Sequence, residues 1–557
     1  MFTRAISFAA LSALTFGTAA AGAATVPIDA GSVSGVRDLG RAPASTSVRI
    51  AVVLRYHHEA ELEDLVVAQA DPDSSLYAHF LTPANFREYF SPTALEYAHV
   101  VGTLRRAGFA IAHTFANRTV VDAVAPAPVA ARFFATDIHR VQSPDAGTTY
   151  TNVRPATVPS ALAGVVFAVV GLDAAHRMHP AHAFGSRAPV SRLRLDARRD
   201  GKPVFGPDGG YGPAVFINSY QLPAANGFTG SGRASGVATD ADFLDSDLAG
   251  YLSYFEISRT GPPTTRVMVD GGPGGLNEDS DETTLDVETI VSLAPGTALY
   301  VYEAPLDEPT NANFIDIYNQ VTTDDLVDTL NSSYTYCETG IDQFVHGYTR
   351  SVEHVEMQGS ALGITFHAAA GDSGSMAYGC SGVSVGEPVD TPHNIAVGGT
   401  SLSVDENGNE TGEVGWDGTG GGVSVIFKTP MYQKKVAHVI ATGRNIPDLA
   451  FDADPDTGAS FYFGGGFDGP IGGTSLASPI FGAALTEIDQ VQNARAGYFN
   501  VPLYKTWRAE GYGSGSHVYF RDITQGSIPP YQAGPGYDQM SGIGAMQVSN
   551  FASLLHR

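Results

Sequence analysis

From Ser231 onward, strand-like runs such as Thr297-Ala298-Leu299-Tyr300-Val301-Tyr302 and Gly363-Ile364-Thr365-Phe366-His367-Ala368-Ala369 alternate with helical patterns. That alternation restricts the fold class to α/β, with a mostly parallel sheet flanked by helices and reactive groups at the carboxyl ends of the strands. An earlier stretch, residues 25–180, alternates Val48-Arg49-Ile50-Ala51-Val52-Val53-Leu54 with helix-like Ala60-Glu61-Leu62-Glu63-Asp64-Leu65-Val66-Val67 and reads as a separate α+β domain. Pro180 to Gly212 carry several arginines, glycines and prolines with little periodicity, which predicts an exposed linker open to proteolysis. With 557 residues the chain is long enough for both domains and a large core.

Arg4, an apolar run from Ala5 to Ala21 and the small residues Ala21-Gly22-Ala23-Ala24 form the pattern of a secretory signal over residues 1–24. A membrane anchor fits less well, because the run is short and rich in Ala and Ser, and no later stretch is long and apolar enough to span a bilayer. The expectation is a soluble secreted protein, extracellular or periplasmic, with no membrane partner. Residues 1–202 hold 19 basic and 16 acidic side chains, which leaves 13 of the 32 basic and 42 of the 58 acidic residues for 203–557. Such an acidic second part repels nucleic acid and anionic membranes and suits an enzyme working in acid, although solubility alone accounts for it equally well. The two cysteines, Cys337 and Cys380, most simply form one disulfide in an exported chain; a metal site or a reactive thiol is the alternative.

Chemistry is most visible in Gly472-Gly473-Thr474-Ser475-Leu476-Ala477-Ser478-Pro479, which leads into apolar Ile480-Phe481-Gly482-Ala483-Ala484-Leu485. The glycines permit a tight turn, Ser475 falls at the positive end of a buried helix, and Pro479 is placed in its first turn. A serine nucleophile needs a base, and none of the 16 histidines stands in a convincing setting: His346 lies in a polar stretch and His367 inside an apolar strand. Carboxylates fill the role. Glu282 and Asp286 fall on one face of a predicted helix at i, i+4, where two neighbouring acids share a proton and Glu282 takes the proton of Ser475 while Asp286 orients it. Two solvated acids at a helix start would give the same spacing. A carboxylate base implies work at acidic pH. Asp372, in the glycine turn Ala370-Gly371-Asp372-Ser373-Gly374-Ser375 after a strand, donates to an oxyanion if protonated, or else forms an Asx turn.

Taken together, Gly473-Thr474-Ser475 with Pro479, the Glu282/Asp286 helix and Ala369-Ala370-Gly371-Asp372-Ser373-Gly374 resemble the sedolisin family of serine-carboxyl peptidases over almost the whole chain. The resemblance implies a subtilisin-like fold, acid-acting endopeptidase activity, a catalytic Ser475-Glu282-Asp286 triad and a separate oxyanion aspartate at Asp372. Ser75-Leu76-Tyr77-Ala78-His79-Phe80-Leu81-Thr82-Pro83, Phe86 and the stretch from Leu104 to Gly108 are similar to the family's pro-domain, a chaperone and intramolecular inhibitor that is removed on maturation. The implied layout is a signal at 1–24, a pro-domain at 25–180, a linker at 181–205 with maturation near 190–205, and a catalytic domain at 206–557. Phe520-Arg521-Asp522-Ile523-Thr524 and Ala533-Gly534-Pro535-Gly536-Tyr537-Asp538 read by themselves as turns, but they resemble the family's calcium site. This implies one structural Ca2+ held by Asp522 and Asp538 carboxylates and the Ile523, Gly534 and Gly536 carbonyls. Cys337 and Cys380 flank the Asp372 stretch as a disulfide does in some bacterial relatives.

The chain departs from many relatives at Ser333-Tyr334-Thr335, which lines the cleft, and at Ala238-Thr239-Asp240, where some carry a glutamate supporting the catalytic one. Expected partners are protein and peptide substrates and the chain's own pro-domain, with a monomeric enzyme and no nucleic acid. Asp372-Ser373-Gly374 and Asp456-Thr457-Gly458 also match the signature of pepsin-like aspartic peptidases, but they lie too close in sequence for two lobes and leave the Ser475 helix unexplained. Tripeptidyl-peptidase action and a catalytically silent secreted binding protein are the remaining alternatives.

Overall fold

The computed structural model describes residues 26–28, 36–144, 146–186, 192–306, 311–340 and 347–555; the expected signal at 1–24 and His346 lie outside them. Strand β1 (Ser47–Leu54) lies at the heart of the first domain's antiparallel sheet. It is followed by α1 (Glu59–Ala70), α2 (Ala94–Ala107), β2 (Ala110–Thr114), β3 (Val120–Pro126) and β4 (Val166–Val170), in the strand order β2-β3-β1-β4. The two-residue period of β1 divides its side chains. Val48, Ile50, Val52 and Leu54 fill the domain's own core, whereas Ala51 and Val53 join the core continuous with the second domain. Helix α2 starts at a Thr93/Glu96 capping box and ends on Gly108 at φ 103°, so both ends are specified locally.

The second domain is built on an eight-stranded sheet. Its strands are β5 (Ala234–Thr239), β6 (Thr265–Met268), β7 (Ala298–Glu303), β8 (Thr329–Ser332), β9 (Thr365–Ala369), β10 (Asn394–Val404), β11 (Glu410–Gly415) and β12 (Leu449–Asp452). The order is β6-β7-β5-β8-β9-β10-β11, with β12 also paired to β10, and every pairing is parallel except β10 with β11. Its central strands β8, β9 and β12 are buried along their whole length, as in a sheet covered on both faces, and carry polar Thr329, Asn331, Ser332, His367 and Asp452 among their apolar residues. Helix α3 (Ser280–Leu293) packs along α6 (Thr474–Gln492), and α4 (Ala312–Asp324) packs along α5 (Tyr348–Leu362). The mostly parallel α/β body and the α+β domain before it are the architecture the sequence predicts. Cys337 and Cys380 are bonded to each other. Among the described residues no helix is long and apolar enough to cross a membrane.

The first domain docks through α1 against α5, β1 against α4 and β4 against α5. Polar groups buried there are paired across the junction: Asn117 Nδ2 and Thr119 Oγ1 both donate to Asn319 Oδ1 at 2.7 Å, and Tyr56 donates to Gln358 Oε1 at 3.1 Å. Arg49 of β1 ion-pairs with Asp270 and, at 3.2 Å, with Asp316 of α4. Asp122, Asp270 and Asp316 place carboxylate oxygens within 4.8 Å of one another. Burial, then the charges of Asp122 and Asp270, push the Asp316 carboxyl far above its ordinary value, and Arg49 opposes that rise.

Removing one partner of a buried ion cluster strands the others. Arg49→Met is expected to weaken the docked form by about 3–5 kcal/mol near neutrality. Below about pH 4, where carboxylates gain protons, the loss should shrink. Thermal melts of the full chain at both pH values check this; an equal loss at both would mean that Arg49 acts by packing.

Candidate active site

The carboxyl ends of the parallel strands bring the sequence-predicted residues together. Helix α6 begins at Thr474, so Ser475 stands in its first turn, where backbone N–H groups have no helical acceptor. Those groups are used: the Thr474 N–H donates to Asp372 Oδ1 at 2.8 Å, and the Ser475 N–H donates to the Ala181 carbonyl at 2.9 Å. Gly473 takes φ 97°, and a Cβ there would collide with Asp372 Oδ2, the Ala181 carbonyl and His182 Cα, so only glycine fits. Pro479 falls in the second turn of α6, not the first. Its missing N–H leaves the Ser475 carbonyl without the helical bond four residues on.

Ser475, Glu282 and Asp286 are fully buried. Glu282 occupies the first turn of α3 and Asp286 the next, facing α6. The Ser475 hydroxyl donates to the Ser333 carbonyl at 3.3 Å and also favours the ionised form of Glu282. Burial pushes the Glu282 carboxyl up, against the pull of His182 and Ser475. Burial, and then the charge of Glu282, push Asp286 well above the usual carboxylate range, and Asp286 Oδ1 accepts from Ser333 Oγ at 2.7 Å. Asp372 follows β9. Its Oδ1 accepts from both the N–H and Oγ1 of Thr474 at 2.8 Å, yet burial outweighs these bonds and raises it to about 7. Asp372 is therefore held neutral well below about pH 7, with Oδ2 buried and without a hydrogen-bond partner beside the Ala181 carbonyl.

A second layer holds this group. Asn331 Nδ2 donates to Ser333 Oγ at 3.1 Å, Ser478 Oγ donates to Asn331 Oδ1 at 2.7 Å, and His367 Nδ1 lies 3.0 Å from Ser478 Oγ. Because the Ser478 proton is committed to Asn331, His367 carries its proton on Nδ1 and donates. Burial lowers its pKa to about 3, so it is a neutral structural histidine and no base. Asp240, after β5, is raised by burial and by Asp279, with Tyr334 opposing.

Three functional groups escaped the sequence analysis. The start of the stretch read as an exposed linker lies extended in the cleft, held by strand edges on either side, with Phe184 still 46% exposed. His179–Pro180 pairs antiparallel with Tyr334 and Thr335, and Ala183–Phe184 pairs with Ile471 and Gly472. The Ala181 N–H donates to the Ser333 carbonyl at 2.9 Å. The third and second groups, His182 and Asp281, meet over the base: His182 Nδ1 lies 2.6 Å from Glu282 Oε2 and Nε2 lies 3.2 Å from Asp281 Oδ2. Burial opposes charge on His182, but these two carboxylates win and push it up to about 11. A histidine in a Pro-rich linker, 100 residues from its partner, carries no local signal of this contact.

The five residues of the expected metal site also converge. Asp522 accepts from the Gly536 N–H at 3.1 Å, and Asp538 accepts from the Gly534, Met540 and Ser541 N–H groups at 2.8–2.9 Å. Ser541 Oγ links Asp538, at 3.1 Å, to the Ile523 carbonyl, at 3.5 Å. Burial raises the Asp538 carboxyl in spite of these bonds, a penalty that a bound cation would relieve, and the Asp522 and Asp538 carboxylates are hard oxygens of the kind calcium takes.

Residues 34–175 match the family model described as the pro-kumamolisin activation domain. The chain is 28% identical to sedolisin of Pseudomonas sp. (strain 101), over 92% of this chain and 88% of that one. It is 29% identical to kumamolisin of Bacillus sp. (strain MN-32), over 91% of each. Tripeptidyl-peptidase 1 of Bos taurus is 26% identical over 93% and 92%. Among solved structures, Pseudomonas sedolisin, a serine-carboxyl proteinase complexed with two molecules of pseudo-iodotyrostatin, superposes with a TM-score of 0.55 and 25% identity, covering 62% of this chain and 98% of that one.

The raised pKa of Asp372 has a signed consequence for stability. A buried carboxyl that must ionise destabilises the fold as pH rises from its unfolded value to its folded one. Asp372→Asn, which keeps the acceptor for Thr474, should therefore match wild type near pH 4 and become more stable than it by up to roughly 4 kcal/mol by pH 7. Paired denaturant melts across that range read the difference; a constant offset would place the Asp372 titration elsewhere.

Proposed function

The chain belongs to the sedolisin family of serine-carboxyl peptidases and is a serine-type peptidase with an activation domain, and from this we propose that it is an exported, self-maturing endopeptidase acting in acid through Ser475. One observation carries the reading. An extended segment of the chain's own pro-region is seated with a single carbonyl, that of Ala181, on the Ser475 N–H, and with the Ala181 N–H on Ser333. This is how a peptide must lie for attack at one bond.

In the proposed reaction Glu282 takes the Ser475 proton as Oγ bonds to the substrate carbonyl carbon. The tetrahedral oxyanion is held by the Ser475 N–H and the neutral Asp372 carboxyl. Glu282 then gives the proton to the leaving amine, and the acyl-enzyme forms. Water reverses the sequence and frees the acid. Asp286, kept protonated by burial and by Glu282, shares its proton with Glu282 and fixes its orientation. The oxyanion site loses its carboxyl donor once Asp372 ionises, so activity falls as pH rises toward about 7. The seated segment continues through His179 and Pro180 before the bond and through Ala183 and Phe184 after it, which supports cutting within chains over removal of tripeptides.

On this reading the first maturation cut falls at Ala181–His182, ahead of the 190–205 region expected from the sequence, because the Ala181 carbonyl is the one bonded to the Ser475 N–H. Until then the docked domain occupies the cleft as an inhibitor, and His182 engages the base. We also propose one calcium ion at Asp522 and Asp538 with the Ile523, Gly534 and Gly536 carbonyls, bracing the end of the domain.

At about pH 4, near the glutamate value, with pepstatin present, the wild-type chain should convert to a species beginning at His182 and degrade an unfolded protein. Ser475→Ala should stay full length, and Glu282→Gln should lose roughly 10²–10⁴-fold in rate. Conversion of the Ser475→Ala chain, or inhibition by pepstatin, would overturn the serine assignment. Chelation of calcium should lower the melting temperature of the mature enzyme, with Asp522→Asn insensitive to the chelator.

A further inference from the structure

The contact between His182 and α3 has two halves. Glu282 is the proposed base and must be free when a substrate is cut, so it cannot serve as a lasting partner for a substrate side chain. Asp281 has no such task. Its Oδ1 accepts the Glu282 N–H at 2.9 Å, which pins the side chain at the mouth of the first turn of α3. Its other oxygen, Oδ2, faces the imidazole of His182 at 3.2 Å. The aspartate side chain is 21% exposed and that of His182 15%, so the pair sits in a partly screened corner of the cleft. His182 is the first residue after the seated carbonyl, and its ring stands edge-on to Phe184, 5.8 Å between centroids, which directs it toward α3. On the other side of the bond Ala181 is 2% exposed and closely enclosed.

We infer that Asp281 selects the residue following the cut bond, and that the mature cleft favours peptides with a small residue before the bond and a cationic one, lysine, arginine or histidine, after it. This rests on the peptidase reading above. A carboxylate already held by a backbone N–H loses little freedom on meeting a cation, so the pairing adds selectivity at low entropic cost. Lysine and arginine reach past Glu282 to Asp281, whereas the short imidazole of His182 bridges both carboxylates. The chain's own linker therefore combines a favoured class of residue at this position with a contact that occupies the base.

The test uses the full-length chain after self-maturation in acid and peptides that share His-Pro-Ala before the bond and differ only in the next residue: Lys, His, Ala or Glu. The readout is the ratio of kcat/KM for each peptide to that for the Ala peptide, taken within each enzyme. Wild type should favour Lys over Ala by roughly three- to fivefold and disfavour Glu by a similar factor. Asp281→Asn should bring all ratios close to one, and Asp281→Lys should invert the Lys/Glu order. Equal ratios in wild type, or a Lys preference that survives both substitutions, would overturn the inference. So would loss of cleavage of every peptide by Asp281→Asn in a chain that still melts cooperatively, because Asp281 would then serve the chemistry itself. Failure of wild type to cut any peptide, or cutting by Ser475→Ala, would instead strike the peptidase reading on which the inference stands.

Discussion

Burial of carboxyl groups is the constraint on which the rest of this molecule depends. Glu282, Asp286 and Asp372 are removed from water around one serine, and in each case burial is the largest influence on the acid. An ionised carboxylate in that setting is costly, and three close together cannot all ionise. The cluster therefore exists as partly protonated acids, able both to take a proton and to donate a hydrogen bond. Everything around it serves to keep it dry and fixed: the first turn of α6, the Ser333 backbone, the Asn331-Ser478-His367 chain behind it, and the pro-segment across its front.

The fold supplies this arrangement through two helices and two strand ends. The i, i+4 geometry of α3 holds Glu282 and Asp286 at a set distance, and α6 lies alongside so that its first turn meets them. Ser333 and Asp372 follow β8 and β9, neighbours in the parallel sheet, so the group facing the carboxylates and the group facing the peptide carbonyl come from adjacent strands. The first domain applies the same principle at a second place. Arg49 meets Asp270 and Asp316 beside Asp122 in the junction, where one cation keeps a set of buried acids compatible with docking. The seated pro-segment adds a third pairing, His182 with Glu282 and Asp281.

Several of these features are legible in the residues. The spacing of Glu282 and Asp286, the glycine-led start at Ser475 and the strand ending before Asp372 are local patterns, and each element forms where its pattern lies. The readings that changed depended on context. Pro479 is expected in the first turn of its helix, but the helix begins at Thr474, so proline stands in the second turn. The stretch after Pro180 reads as an exposed linker because it has no periodicity. It is extended in the cleft because Tyr334, Thr335, Ile471 and Gly472 provide open backbone edges, and edges belong to partners elsewhere in the chain.

The amino-acid sequence by itself determined the α/β alternation, the separate α+β domain, the buried start of the serine helix and the pairing of two acids on one helix face. These are properties of residues within a few positions of one another, and backbone sterics and hydrophobic periodicity express them directly. Only the tertiary structure decided that Ala181 presents its carbonyl to Ser475, that His182 lies between Asp281 and Glu282, that Ser333 joins Asp286, and that His367 is a packed neutral ring. Each of these contacts joins residues dozens to hundreds of positions apart. Their geometry, and the dielectric that shifts their acidities, come into being only when the sheet, its helices and the pro-segment close around the same buried point.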